Sequence, residues 1–206
     1  MIDQLINLDR QISVAINSWH SPFWDNVMLL FTNKYTLIPI YVIILLYLLS
    51  RRTFKIRRRE YFNNWVLTGL IVLAAVMTFF ITDKVGHDII KPYFHRLRPG
   101  YDFYIWDLVR TPDGKGGAWS FVSNHAANII GLATVTSLFI KRKGYTLLIF
   151  LLAAGVCYSR IYLGRHFLGD VVCGALFGFL AGCICYRICS WLTRVLARRY
   201  VIRELR

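Results

Sequence analysis

Ser159-Arg160-Ile161-Tyr162-Leu163-Gly164-Arg165-His166-Phe167-Leu168-Gly169-Asp170 lies between two strongly apolar segments, yet it carries two arginines, a histidine and an aspartate. The flanks point to a membrane protein and the charges point to a site. Ionisable groups at the end of a membrane segment are costly, and their default reading is functional. His166 and Asp170 are four residues apart, a spacing that on a helix places both on one face. A carboxylate beside an imidazole fixes its tautomer and makes the other ring nitrogen a better base or nucleophile. Arg160 adds a fixed cation with a forked donor set, suited to an anionic oxygen group. The bland alternative is an interfacial loop whose charges sit among headgroups. A lone charge fits that alternative better than this set does.

Composition agrees with the flanks. The chain has 206 residues, enough for one domain, and 56% of them are hydrophobic, which over much of its length is too apolar for a soluble protein. Its formal net charge of +14 comes from short basic runs between apolar stretches. That is the membrane pattern, not a nucleic-acid-binding face. The cysteines, Cys157, Cys173, Cys183, Cys185 and Cys189, all lie in apolar segments without a CxxC pair and read as buried free thiols. Met1-Ile2-Asp3-Gln4 lacks the basic and apolar regions of a cleaved signal peptide.

The expected fold is all-α: one polytopic membrane helix bundle over 1–206, with five to six spans. Residues 1–31 read as amphipathic N-terminal helices. Leu5, Leu8, Ile12, Ala15, Ile16 and Trp19 recur at helical spacing among polar residues, which fits a helix in the membrane interface or packed on the bundle. Ser21-Pro22 reads as a cap followed by a first-turn proline. The transmembrane core, 35–192, contains spans near 35–50, from Trp65 past Ile81 toward Ile90, and over 126–140, 145–158 and 171–192. Residues 91–123 read as a polar loop, and 193–206 as a basic cytoplasmic tail. Basic runs at 51–59, 141–143 and in the tail place these segments in the cytoplasm. Loop 91–123 and the stretch around His166 then share the outer side, which in a bacterium is the periplasmic face of the inner membrane.

Two more clusters fall on that side. Lys91 and Arg98 are seven apart and would share a face if the segment were helical, until Pro99 ends it. Ser123-Asn124-His125 precedes a span, where unpaired helix-start amides bind anions. Lys91, Arg98 and Arg160 then offer three cations to one small anion. His166 with Asp170 offers a nucleophile and its orienter, and His125 a separate acid. Phosphoryl transfer needs such a set. The aspartates lack ligand spacing with the histidines, so no metal cage is expected.

Taken in order, Lys91-x6-Arg98-Pro99, Ser123-x-His125 and Arg160-x5-His166-x3-Asp170 resemble the three-part signature of the type 2 phosphatidic acid phosphatase (PAP2) superfamily, over about residues 20–192. The first and third parts match fully. In the second, Val122 and Asn124 stand where the family has proline and glycine, which matters if the backbone there needs positive φ. The resemblance implies that His166 attacks phosphorus to form a phosphohistidine, oriented by Asp170. It implies that His125 protonates the departing oxygen and then activates water. Lys91, Arg98 and Arg160 would hold the phosphate, assisted by Ser123 and the amide of Asn124. It also implies metal-independent chemistry with no cofactor. His95 and Arg96 fall at free positions of the signature and read as headgroup contacts or solvated residues; Arg165 reads equally as a headgroup contact.

The expected activity is therefore phosphate removal from a lipid monophosphate or pyrophosphate on the outer face of the membrane. Undecaprenyl pyrophosphate is favoured among phosphatidylglycerol phosphate, lipid A phosphates and phosphatidic acid. The expected partners are the lipid phosphate and the bilayer, and not nucleic acid. The alternative is a phospholipid or anion carrier that binds without cleaving, for which His125, His166 and Asp170 would be superfluous.

Overall fold

The computed structural model describes residues 2–33, 35, 39, 42–47, 53–57 and 60–204. Most of the span expected over 35–50 and part of the basic run after it lie outside the described residues. The elements are α1 (Ile2–Ser18), α2 (Pro22–Thr32), β1 (Thr53–Arg57), β2 (Glu60–Asn63), α3 (Asn64–Lys84), a π-helical segment (Val85–Ile90), α4 (Lys91–Phe94), a 3-10 turn (Pro99–Tyr101), α5 (Asn124–Ile140), α6 (Lys143–Tyr162) and α7 (Leu168–Glu204).

The bundle is helical, as the apolar runs predict. Among the described residues, three helical stretches are long and apolar enough to cross a membrane: Val66–Phe94, Lys143–Tyr162 and Leu168–Leu196. The first joins α3, the π-helical segment and α4 without a break, so this span reaches beyond the expected Ile90. α5 has 17 residues, about 25 Å at helical rise. Between β1 and β2 runs a short antiparallel hairpin with Phe54 opposite Phe62, where the sequence reading had a basic loop. α7 passes Leu192 without a break, so the segment read as a tail begins as helix.

α5 is the centre and packs against α3, α6 and α7. Ile71, Ile129, Ala133, Ile149 and Val156 form the main buried cluster. Large apolar side chains also face outward, among them Phe79 and Phe80 on α3, Leu147 and Leu151 on α6, and Leu176 and Leu180 on α7. Helices apolar on all sides are those of a membrane bundle. Small residues let α5 and α7 approach. A Cβ on Gly178 would collide with the backbone carbonyl of Ala127, and one on Gly182 would lie 2.8 Å from the carbonyl of Gly131. This is how helices pack where lipid removes the hydrophobic drive between them.

α1 is turned the opposite way from a helix on a soluble protein. Its Ser13 and Asn17 are buried while Leu5 and Leu8 are exposed. Asn17 donates to the carbonyls of Arg110 and Tyr162 (2.9 and 2.6 Å) and accepts from the amide of Arg110 (2.8 Å). A polar edge of this helix thus packs on the bundle while an apolar edge faces out. In α2, the hydroxyl of Ser21 caps Trp24 N at 3.3 Å, with Pro22 in the first turn.

Chain direction sorts the connections. The hairpin and the turn between α5 and α6 lie at one end, whereas residues 95–123 and 163–167 lie at the other. The long loop is tied at its base, where Arg98 N bonds Ala118 O (2.9 Å) and Ser120 N bonds Arg96 O (2.7 Å).

Candidate active site

Three helix ends and the tied loop converge on a cavity of about 680 Å³ lined by Lys91, Arg98, His125, Arg160 and His166. Lys91 comes from the end of the first long stretch, His125 from the start of α5 and Arg160 from the last turn of α6. His166 comes from the turn into α7. Arg98 arrives differently from the sequence expectation. α4 ends at Phe94, and His95 takes a left-handed conformation (φ 48°), so Lys91 and Arg98 do not share a helical face. The loop base carries Arg98 back to the cavity, with its Nε bonded to Trp119 O at 3.1 Å.

His166 is likewise not on a helix with Asp170. It lies in the turn before Leu168, and Asp170 is the third residue of α7. Both are buried, at 2% and 0% exposure. Their closest approach, Nδ1 to Oδ2, is 3.7 Å, too long for a hydrogen bond. Ser120 fills the gap. Its Oγ lies 3.3 Å from His166 Nδ1 and donates a short bond to Asp170 Oδ2. The amide of Phe167 donates to the same oxygen at 2.9 Å. This engagement of Nδ1 leaves Nε2 for the cavity. Burial, outweighing the Asp170 carboxylate, pushes the imidazole down to about 3 from its ordinary 6.5. His166 is thus neutral near pH 7.

The other oxygen of Asp170 accepts from Arg96 at 2.8 Å, and Arg96 also bonds Asp9 at 2.6 Å. Asp9 accepts in turn from the amide of Gly169 at 2.9 Å. The sequence reading left Arg96 to headgroups or solvent; the structure gives it to the buried carboxylate. Arg165, read as a possible headgroup contact, pairs with Asp113 at 2.6 Å. Ser120 opens the cluster that ends in His125 and Arg96 lies within the first motif, but the signature gives neither position a role.

Two further expectations change. The hydroxyl of Ser123 does not line the cavity. It accepts from Ala126 N, and the amide of Ser123 donates to Asp170 O at 3.0 Å. An N-cap satisfies its own helix first, so Ser123 ties α5 to α7. Asn124 does line the cavity as the first residue of α5, and it is not among the positive-φ residues. Asparagine in place of the signature's glycine therefore meets no backbone strain here. Val122 is buried at 3% exposure.

Arg160 is 4% exposed; its guanidinium reaches Thr32 Oγ1, and its Nε is buried without a partner among the described residues. Such a donor is costly to leave unmade. Burial and the nearby Arg165 lower the pKa of Arg98. A dianion entering the cavity would relieve both. A second cavity, apolar, lies between α3, α5 and residues 44–45, and shares Phe79 and Asn128 with the cationic one.

Residues 68–194 match the PAP2 superfamily. The chain is 35% identical over 195 residues to the lipid A 4′-phosphatase of Bacteroides thetaiotaomicron, covering 94% of this chain and 82% of that protein. It is 29% identical over 188 residues to the lipid A 4′-phosphatase of Porphyromonas gingivalis, covering 91% and 75%. Among solved structures, the fold is similar to Aquifex aeolicus LpxE, with a TM-score of 0.61 and 24% identity over 86% of this chain and 93% of that one. It is also similar to a transmembrane PAP2-type phosphatidylglycerolphosphate phosphatase from Bacillus subtilis, with a TM-score of 0.64 and 23% identity over 90% and 86%.

Proposed function

The chain belongs to the PAP2 superfamily, and from that premise we propose that it is a membrane lipid phosphatase that removes a phosphate from a lipid A-type saccharolipid. The observation that carries the reading is the adjacency of the two cavities. A pocket lined by Lys91, Arg98, Arg160, Arg165 and two histidines shares Phe79 and Asn128 with an apolar groove. That pairing suits a phosphate whose other end stays in lipid. The sugar-lipid substrate is favoured over undecaprenyl pyrophosphate by the two relatives named as lipid A 4′-phosphatases. The basic runs at the opposite end of the bundle support a periplasmic site in a bacterial inner membrane.

In this reading Lys91, Arg98 and Arg160 hold the non-bridging oxygens and take the charge of the transition state. The lone pair on Nε2 of His166 attacks phosphorus and the P–O ester bond breaks. His125 gives its proton to the departing oxygen. Ser120 and Asp170 hold Nδ1–H and support the positive charge that develops on the ring. In the second half, His125 takes a proton from water, whose oxygen attacks phosphorus as the P–N bond breaks and inorganic phosphate leaves. Asn124 adds its helix-start amide, and Ser123 acts through the cap that sets the position of His125.

The test is phosphate release by the purified protein, in EDTA, from a lipid A-type 4′-phosphate, undecaprenyl pyrophosphate, phosphatidylglycerol phosphate and phosphatidic acid, with His166→Ala as the blank. Release above the blank is expected, fastest from the saccharolipid. Binding without release from any of them would favour the carrier reading. Loss of activity in EDTA would return a metal to the mechanism.

A further inference from the structure

The cationic cavity contains two carboxylates. Asp83, in the last turn of α3, lines the cavity along with Asp113. Asp113 is neutralised by Arg165. Asp83 makes no ion pair within contact distance among the described residues, although its charge favours the Lys91 cation. It is therefore open to a further ligand group. One of its oxygens, Oδ1, accepts from Nδ2 of Asn124 at 3.2 Å. Its Oδ2 has no partner among the described residues. Asn124 is fixed on its other side: a Cβ on Gly86 would lie 2.8 Å from its Oδ1. The π-helical register and the glycine together make room for this side chain.

Asn128, one turn further along α5, is committed in the complementary sense. Its Oδ1 accepts from the hydroxyl of Thr82 at 2.5 Å, which leaves the two N–H donors of Nδ2 with no partner among the described residues. Asp83 Oδ2 and Asn128 Nδ2 thus provide an acceptor and a donor in the lining of one cavity. A hydroxyl group can serve both, by donating to the carboxylate and accepting from the amide. A fully ionised phosphate cannot donate, and an alkyl chain does neither.

The location restricts which part of the substrate this is. Asp83 is one turn from Phe79 on α3, and Phe79 and Asn128 are common to the cationic cavity and the apolar groove. A substrate with its phosphate in the first and its tail in the second would lay its leaving alcohol against these residues. Resting on the phosphatase reading above, we propose that Asp83 and Asn128, braced by Asn124 and Thr82, form a subsite for a free hydroxyl on the leaving alcohol. The enzyme then prefers phosphates of hydroxylated alcohols, sugar or glycerol, over esters with no free hydroxyl beside the phosphate. Sites built to bond a substrate hydroxyl reject analogues that lack it, because their own polar groups then lose that partner.

The test measures kcat/KM for three substrates in the same detergent: a lipid A-type 4′-phosphate, phosphatidylglycerol phosphate, and phosphatidic acid, whose glycerol hydroxyls are both esterified. The variants are Asn128→Leu and Asp83→Asn, with vanadate inhibition as the measure of a folded phosphate pocket. The ratio of a hydroxylated substrate to phosphatidic acid should fall about tenfold in each variant, as loss of one hydrogen bond to a substrate implies. Which ratio falls, the sugar's or the glycerol's, identifies the hydroxyl that is read. An unchanged ratio overturns the subsite, whether the three activities fall together or not at all. A wild-type protein inactive on all three substrates, with vanadate still bound, overturns the phosphatase reading itself and this inference with it.

Discussion

Arg96 holds one oxygen of Asp170 and the carboxylate of Asp9 at once. Asp170 is fully buried, so its charge depends on these bonds. Arg96→Gln leaves that charge half-paired. We expect a loss of stability of about 1.5–3 kcal/mol, the scale of a hydrogen bond to a charged group, and a fall in kcat with little change in KM. Asp9→Asn removes the brace one step further out and should lower kcat about tenfold, as outer-shell changes do. Denaturation midpoints and steady-state kinetics check both; a rise in KM alone would mean that Arg96 contacts substrate. His166 makes a second prediction at this scale. Its folded pKa, about 3, lies below the unfolded 6.5. The unfolded chain therefore binds the extra proton between these values, and stability falls as pH drops through that window. His166→Gln should show a shallower loss of Tm between pH 7 and pH 5 than wild type; equal slopes would show that the ring is not held neutral. Lys91, Arg98, His125, Arg160 and His166 were legible in the sequence because each falls within a spaced motif. Ser120 and Arg96 were not. Ser120 is separated by 46 residues from His166 and 50 from Asp170, and no local periodicity connects them.

At the scale of elements, the apolar runs located α3, α5, α6 and α7, because hydrophobic length reports a membrane helix directly. Their ends were less legible. The helical face assumed for Lys91 and Arg98 failed at His95, where one left-handed residue ends α4. The spacing of His166 and Asp170 suggested a helix but arose from a turn and a helix start. In both cases the loops, fixed by long-range bonds such as Ser120 N to Arg96 O, decide where the side chains go. The α5–α7 contact is set by Gly178, whose Cα lies against the backbone of Ala127, two residues after His125. Gly178→Val should push these helices apart and displace both histidines. We expect activity to fall at least tenfold, with a loss of stability of about 1–3 kcal/mol, the usual cost of overpacking. Wild-type Tm and activity in this variant would show that the contact is looser than described.

For the whole molecule, the bundle separates two demands. Its outward surface is apolar, while α1 turns polar residues inward to meet the loop and the start of α7. The N-terminal helix therefore reaches the buried carboxylate of Asp170 through Asp9 and Arg96, a link that amphipathic spacing alone does not reveal. The convergence of three helix ends puts cations, two histidines and a buried carboxylate beside an apolar groove. In the proposed function this arrangement transfers the phosphoryl group to His166. The most direct measurement is rapid-quench trapping of protein-bound phosphate from a radiolabelled lipid phosphate, in EDTA, with wild type and His166→Ala. A base-stable, acid-labile label that maps to His166 is expected in wild type, absent from the variant along with turnover. Turnover in His166→Ala, or a label that maps elsewhere, would contradict it.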